Sequence, residues 1–160
     1  MTTFSPAATA GRLVTSPALI AAGLSLYTGA IHLWEAPVHL EAWWGYGAFF
    51  IATGVAQVAV ALPLVWRPRR WLVLGLVAMN LAIVAIYVAS RTSGIPVGPE
   101  HGGHRLEAPG ALDLGATLAE VATVVALAMA APRVVGRMVV NAALALGLAL
   151  IGLRLTGVLA

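Results

Sequence analysis

The chain has 160 residues, of which 61% are hydrophobic and only 9% charged, whereas a soluble domain of this size carries about 25% charged residues. Its formal charge of +3 comes from nine arginines and no lysine, and those arginines sit in short connectors between apolar runs instead of forming the continuous basic face that nucleic acid requires. The chain contains no cysteine, which excludes disulfides, thiolate metal sites, iron-sulfur clusters and thiol redox chemistry.

Crossing roughly 30 Å of hydrocarbon takes about 20 mostly apolar residues at ~1.5 Å per residue. Residues 1–12 read as a short tail. Five runs of sufficient length follow it, over about 13–34, 44–66, 71–90, 111–131 and 138–158. They are continuous and rich in Ala and Leu, without the alternating polar period of a membrane barrel, so the expectation is an all-α bundle of five transmembrane helices in a single domain. The lipid bilayer is then its principal partner. The first run lacks a clear cleavage pattern and is too long for a typical secretory signal. Trp34, Trp43, Trp44, Trp66 and Trp71 mark run ends, where an amphipathic ring suits the headgroup level. Small residues, among them Ala143 and Gly147 on the fifth run and Gly47, Ala48 and Gly54 on the second, are expected to let helix backbones approach closely.

Cytoplasmic loops are enriched in basic residues. Arg12, Arg67, Arg69, Arg70, Arg133 and Arg137 fall on one side of such a bundle, with Arg91, Arg105 and Arg154 on the other. This bias predicts a cytoplasmic N-terminus and an outer C-terminus, at the cell membrane.

Under that topology all four histidines and four of the six carboxylates gather at the outer face. His32, Glu35 and His39 stand at i, i+3 and i+7 and share a helical face if the first helix continues past Trp34, with Pro37 a possible interruption. Glu100, His101, His104 and Glu107 lie in a Gly- and Pro-rich loop. Imidazole and carboxylate donors suit a transition metal, so His32, Glu35, His39, His101, His104 and Asp113 form a candidate metal cluster. Copper or zinc is the expected ion, with haem behind them. The same residues are also what a solvated outer loop would carry.

Within the membrane, Asp113, Thr117 and Glu120 form a polar stripe descending the fourth helix. A charged residue at the midplane costs on the order of +2.5 to +3.5 kcal/mol on insertion scales, so Glu120 is expected to face the bundle and to be paired or protonated. Asn80 and Gln57, central in the third and second helices, are the expected partners of Glu120. Arg154, near the outer end of the fifth, is the expected partner of Asp113. The alternative role for these groups is to join helices by hydrogen bonds.

The segments His-Leu-x-x-Ala-Pro-x-His at 32–39, Trp-Gly-Tyr-Gly at 44–47 and Arg-Thr-x-Gly-x-Pro-x-Gly-Pro at 91–99, followed by Asp113 and Glu120, resemble a pattern of small uncharacterised bacterial multi-pass membrane proteins. The resemblance implies a helical membrane fold and carries no catalytic residue over. Nucleophile elbow, Walker loop and dinucleotide fingerprint are all missing from the sequence, which argues against an enzyme of soluble type. The favoured function is binding of a transition metal, or of a metal-bearing partner, at the outer face; the alternatives are a small proton- or ion-linked transporter using Glu120 and an accessory subunit packed against a membrane protein partner or a homo-oligomer.

Overall fold

A computed structural model describes residues 16–66, 69–95, 97–98 and 110–156, except for the side chains of Ser16 and Arg154. Five α-helices account for almost all of them: α1 Ser16–Ala42, α2 Trp44–Trp66, α3 Arg70–Thr92, α4 Ala111–Ala130 and α5 Arg133–Leu155. Each is long and apolar enough to cross a membrane. Their outward surface is a belt of aliphatic side chains, Leu19, Val55, Leu118, Val125 and Leu148 among them, each more than half exposed. Water would not tolerate so continuous an apolar surface, which marks the chain as a membrane protein.

Two helix boundaries differ from those expected by more than a turn. The first helix does not stop at Trp34; it runs through Pro37 to Ala42. A helix-interior proline removes one backbone hydrogen bond, and here the turns beyond it are held by packing on α2, where the His39 ring stacks on Phe50 at 3.8 Å and Leu40 covers Gly47. The fifth helix starts at Arg133 instead of Met138. Pro132 sets that start: Ala131 before it is extended at φ −80° and ψ 155°, as a residue preceding proline tends to be, and the next helix opens at once. Hydropathy places a boundary where charge ends, whereas the backbone continues through arginines whose long side chains reach back to the interface.

Helices α1 and α2 form an antiparallel hairpin through the single residue Trp43, whose N–H bonds to the His39 carbonyl. Their backbones approach closely where Gly29 faces Gly54. Ser25 Oγ donates to the Gln57 carbonyl oxygen at 3.0 Å, one turn further along the seam. The expected close approach at Gly147 is not found, since a Cβ there would meet nothing within 4 Å.

All five helices meet in one apolar cluster, built from Ala21 and Ala22, Ala61 and Leu64, Val73, Leu76 and Val77, Val124 and Leu127, and Val135 and Val139. These residues belong to the end of the bundle where α2 passes to α3 and α4 to α5. One turn beyond them along the helices the inward positions turn polar.

At the other end, Arg91 closes α3 onto α4. Its Nη2 donates to Asp113 Oδ2 at 2.7 Å, its guanidinium lies 5.0 Å from the centre of the Tyr87 ring, and Asp113 also accepts the Gly110 backbone N–H at 3.3 Å. Both partners of this ion pair are partly exposed, so water screens it and about 1 kcal/mol is the expected worth. Replacing Asp113 with Ala should lower thermal stability in detergent by about that much, and Asp113→Asn by less, because the amide oxygen still caps the helix. An unchanged melting temperature for Asp113→Ala would remove this pair from the contacts that hold α3 to α4. The expected partner Arg154 has its side chain outside the described residues, as have Glu100, His101, His104 and Glu107.

The segment after α3 turns back over the bundle. Gly94 at φ 75° and Gly98 at φ 117° supply left-handed turns that other residues rarely adopt, and the Tyr46 hydroxyl donates to the Val97 carbonyl.

Candidate functional site

The inward face of α1 reads Ala18, Ala21, Ala22, Ser25, Thr28, His32 and Ala36, a single helical stripe of small and polar side chains. On α4 the corresponding face is Ala116, Ala119, Glu120, Thr123, Val124 and Leu127. Small neighbours on both helices bring the backbones together, and two large polar side chains meet in the space left. His32 Nε2 lies 2.9 Å from Glu120 Oε1. His32 is 5% and Glu120 1% exposed.

Both residues stand mid-helix. His32 is about 15 Å from the Ala42 end of α1 by helix rise, so it does not belong to the end-of-helix cluster with His39. A first helix that ended at Trp34 would have put it at the surface. Its ring sits edge-on to Phe50, centroids 5.3 Å apart, and the His39 ring stacks on the same Phe50. Phe50 therefore contacts both imidazoles. Glu35 and His39 are partly exposed toward the helix end.

The 2.9 Å contact requires a proton between the two atoms, as imidazole N–H to carboxylate, as imidazolium to carboxylate, or as carboxyl O–H to a bare ring nitrogen. In each arrangement one side of the pair is left wanting a further partner. His32 Nδ1 and Glu120 Oε2 are buried and have no hydrogen-bond partner among the described residues. A buried polar atom left so costs about 1–3 kcal/mol, and sites that retain such a cost are candidates for function.

Other buried positions of the bundle are polar too. Gln57 and Asn80 are fully buried. Asn80 Nδ2 donates to its own helix at the Leu76 carbonyl, 2.7 Å away, which leaves Asn80 Oδ1 and both polar atoms of the Gln57 amide without a partner among the described residues. Thr28 and Thr123 are fully buried too, each hydroxyl bonded back to a carbonyl of its own helix. The partner of Glu120 is thus His32, and no hydrogen bond joins Glu120 to Gln57 or Asn80 among the described residues. Thr117 is half-buried, as is Asp113, which is bonded to Arg91.

Ser25, Thr28 and Thr123 are site residues that hydropathy does not single out. The available signal is their spacing: 25, 28, 32 and 36 fall on one helical face, as do 116, 120 and 123. Among the described residues no three His, Asp or Glu side chains come close enough to hold a metal ion.

The fold and the pair together define a five-helix polytopic membrane protein with a buried His–Glu contact at the centre of its bundle. No family model, curated protein or solved structure matches the chain.

Proposed function

We propose that the chain is a multi-pass protein of the cell membrane, N-terminus cytoplasmic and C-terminus outside, in which His32 and Glu120 take up and release a proton linked to the movement of that proton or a small ion. The single observation carrying this reading is the buried 2.9 Å contact between the two side chains. Ionisable residues at membrane depth are expensive, and carboxylate-histidine relays are a recognised use of them.

Gln57 and Asn80 are further neutral donors and acceptors buried inside the same bundle. An amide can hydrogen-bond either protonation state of a neighbour by presenting its oxygen or its NH2 group, so these side chains suit a site whose proton count changes. Toward the histidine-bearing end, Phe50 contacts both His32 and His39, and a proton exchanged with that side passes its ring. Toward the other end, the apolar cluster of all five helices bars free water. A relay closed on both sides is what coupled transport needs, since a continuous water column would leak. Five helices make a narrow bundle, so the transported species is small, or copies assemble.

Metal binding by the histidine-bearing face is the weaker reading. His32, its innermost proposed ligand, already has its Nε2 occupied by Glu120, and Asp113 is paired with Arg91, so what remains of the copper or zinc proposal rests on Glu35, His39 and the loop histidines.

The test is proton flux into liposomes carrying the purified protein and an internal pH-sensitive dye, under an imposed potential. Glu120→Gln and His32→Gln keep size and hydrogen bonding but remove titration. Each should reduce the flux by on the order of 100-fold, the lower end of what positioned proton-transfer groups contribute. Flux indifferent to Glu120→Gln would reject the proposal.

A further inference from the structure

A second polar feature lies away from the His32–Glu120 pair, at the junction of α4 and α5. There a cleft of about 340 Å³ opens at the surface, lined by Arg133, Arg137 and Asn141 on α5 and walled by apolar side chains that include Ala128, Met129 and Val140. The three polar residues follow at i, i+4 and i+8, on one face of the helix. The cleft exists because α5 leaves α4 abruptly after Pro132: Gly136 sits so close to α4 that a Cβ there would come within 2.6 Å of the Ala128 carbonyl oxygen, and the helices diverge above it.

Charge in the cleft is of one sign. Arg133, Arg137 and Asn141 are exposed, and neither arginine makes an ion pair with any described residue. Beyond Glu120 the chain carries no further Asp or Glu. Two guanidiniums a turn apart can hold a phosphate by paired N–H bonds. Asn141 lies about 12 Å further along the helix than Arg133 by helix rise, inside the apolar span, where an exposed amide is costly unless it meets a polar group. Free phosphate would satisfy the arginines and leave the apolar walls and Asn141 unused. A glycerophospholipid uses all three: phosphate on the arginines, ester carbonyls on the Asn141 amide, acyl chains along Ala128, Met129 and Val140.

We infer that the α4–α5 cleft is a binding site for the headgroup of an anionic glycerophospholipid. Basic pockets between membrane helices serve this purpose elsewhere. The site is separate from the proton relay and stands or falls independently of it.

Native mass spectrometry of the full chain, released from vesicles of mixed phosphatidylglycerol and phosphatidylcholine, tests the assignment. The wild type should retain phosphatidylglycerol in preference to phosphatidylcholine. About five-fold of that preference should belong to each arginine, so that Arg133→Gln with Arg137→Gln reduces it by on the order of 25-fold. Arg69→Gln with Arg70→Gln removes the same charge from the same end of the bundle and should leave retention unchanged, and Asn141→Leu should weaken it without altering the charge. Circular dichroism and a single gel-filtration peak establish that each variant is folded. Equal loss in the Arg69/Arg70 variant would reduce the site to diffuse attraction and overturn the inference. So would equal retention of the two lipids, equal binding of glycerol phosphate alone, or a lipid-free dimer that Asn141→Leu dissociates, since a second copy would then fill the cleft.

Discussion

Glu120→Leu and His32→Leu are each expected to destabilise the bundle strongly, and the two together much less than their sum. Either single change leaves its partner buried and alone: His32 without a carboxyl to meet Nε2, or Glu120 without the ring that meets Oε1. Removing one member of a buried ion pair costs about 3–5 kcal/mol in soluble proteins, while replacing both by apolar groups of similar volume is often neutral or better. In membranes a neutral interhelical hydrogen bond averages only ~0.6 kcal/mol and reaches ~1.7 at most, because the unfolded helices also find partners. The pair should fall above that range, with a coupling energy of about 2–4 kcal/mol, because both groups are ionisable and nearly inaccessible. A double-mutant cycle read by unfolding in detergent or by steric trapping supplies the value. Additive single effects would mean that the contact is not made in the bilayer. The double variant also separates structure from function, since it should keep most of the fold while abolishing the proton flux. A double variant that stays folded and still conducts would leave the pair with a packing role only.

The five helices are legible in the sequence because apolar runs of that length seldom occur outside a bilayer, and Glu120 stands out because a carboxylate in the middle of such a run must be compensated. Its partner is not legible, for a traceable reason. Trp34 and Pro37 look like the end of a membrane helix, yet α1 runs on to Ala42, and the missing turns amount to about 12 Å of rise. Ending the helix early moves His32 from the level of Glu120 to the surface and groups it with His39. Asn80 and Gln57 are buried at mid-helix, as their place in the apolar runs suggests. Depth along a sequence, however, cannot say which side chain turns toward which, and the small residues of α1 and α4 decide that by letting those two helices close on each other. Asp113 poses the same difficulty: Arg91, at the end of α3, reaches it, and the packing of α3 against α4, which hydropathy does not encode, brings the two together.

The position of His32 is itself set by the seam between α1 and α2, and the seam can be tested through its glycines. A Cβ on Gly29 would come within 2.9 Å of Val58 Cγ2 and 3.0 Å of the Gly54 carbonyl oxygen, and one on Gly54 within 2.8 Å of Leu33 Cγ and 2.9 Å of the Gly29 carbonyl oxygen. Val58 and Leu33 can rotate away, but the carbonyls belong to helical backbone and cannot. Gly29→Ala or Gly54→Ala must therefore force the helices apart, at about 1–3 kcal/mol for overpacking. Separation lengthens the Ser25 bond to the Gln57 carbonyl, now 3.0 Å, and shifts His32, one turn along the same face as Gly29. Gly23→Ala and Gly75→Ala are the matched controls, because a Cβ at either position meets nothing within 4 Å. They should be neutral, or stabilising by up to ~1 kcal/mol through helix propensity. If the seam fixes the relay, Gly29→Ala lowers both thermal stability and proton flux, whereas Gly23→Ala lowers neither. Equal behaviour of the two would mean that α1 and α2 do not hold this close register in the bilayer, and the placement of His32 against Glu120 would lose its support.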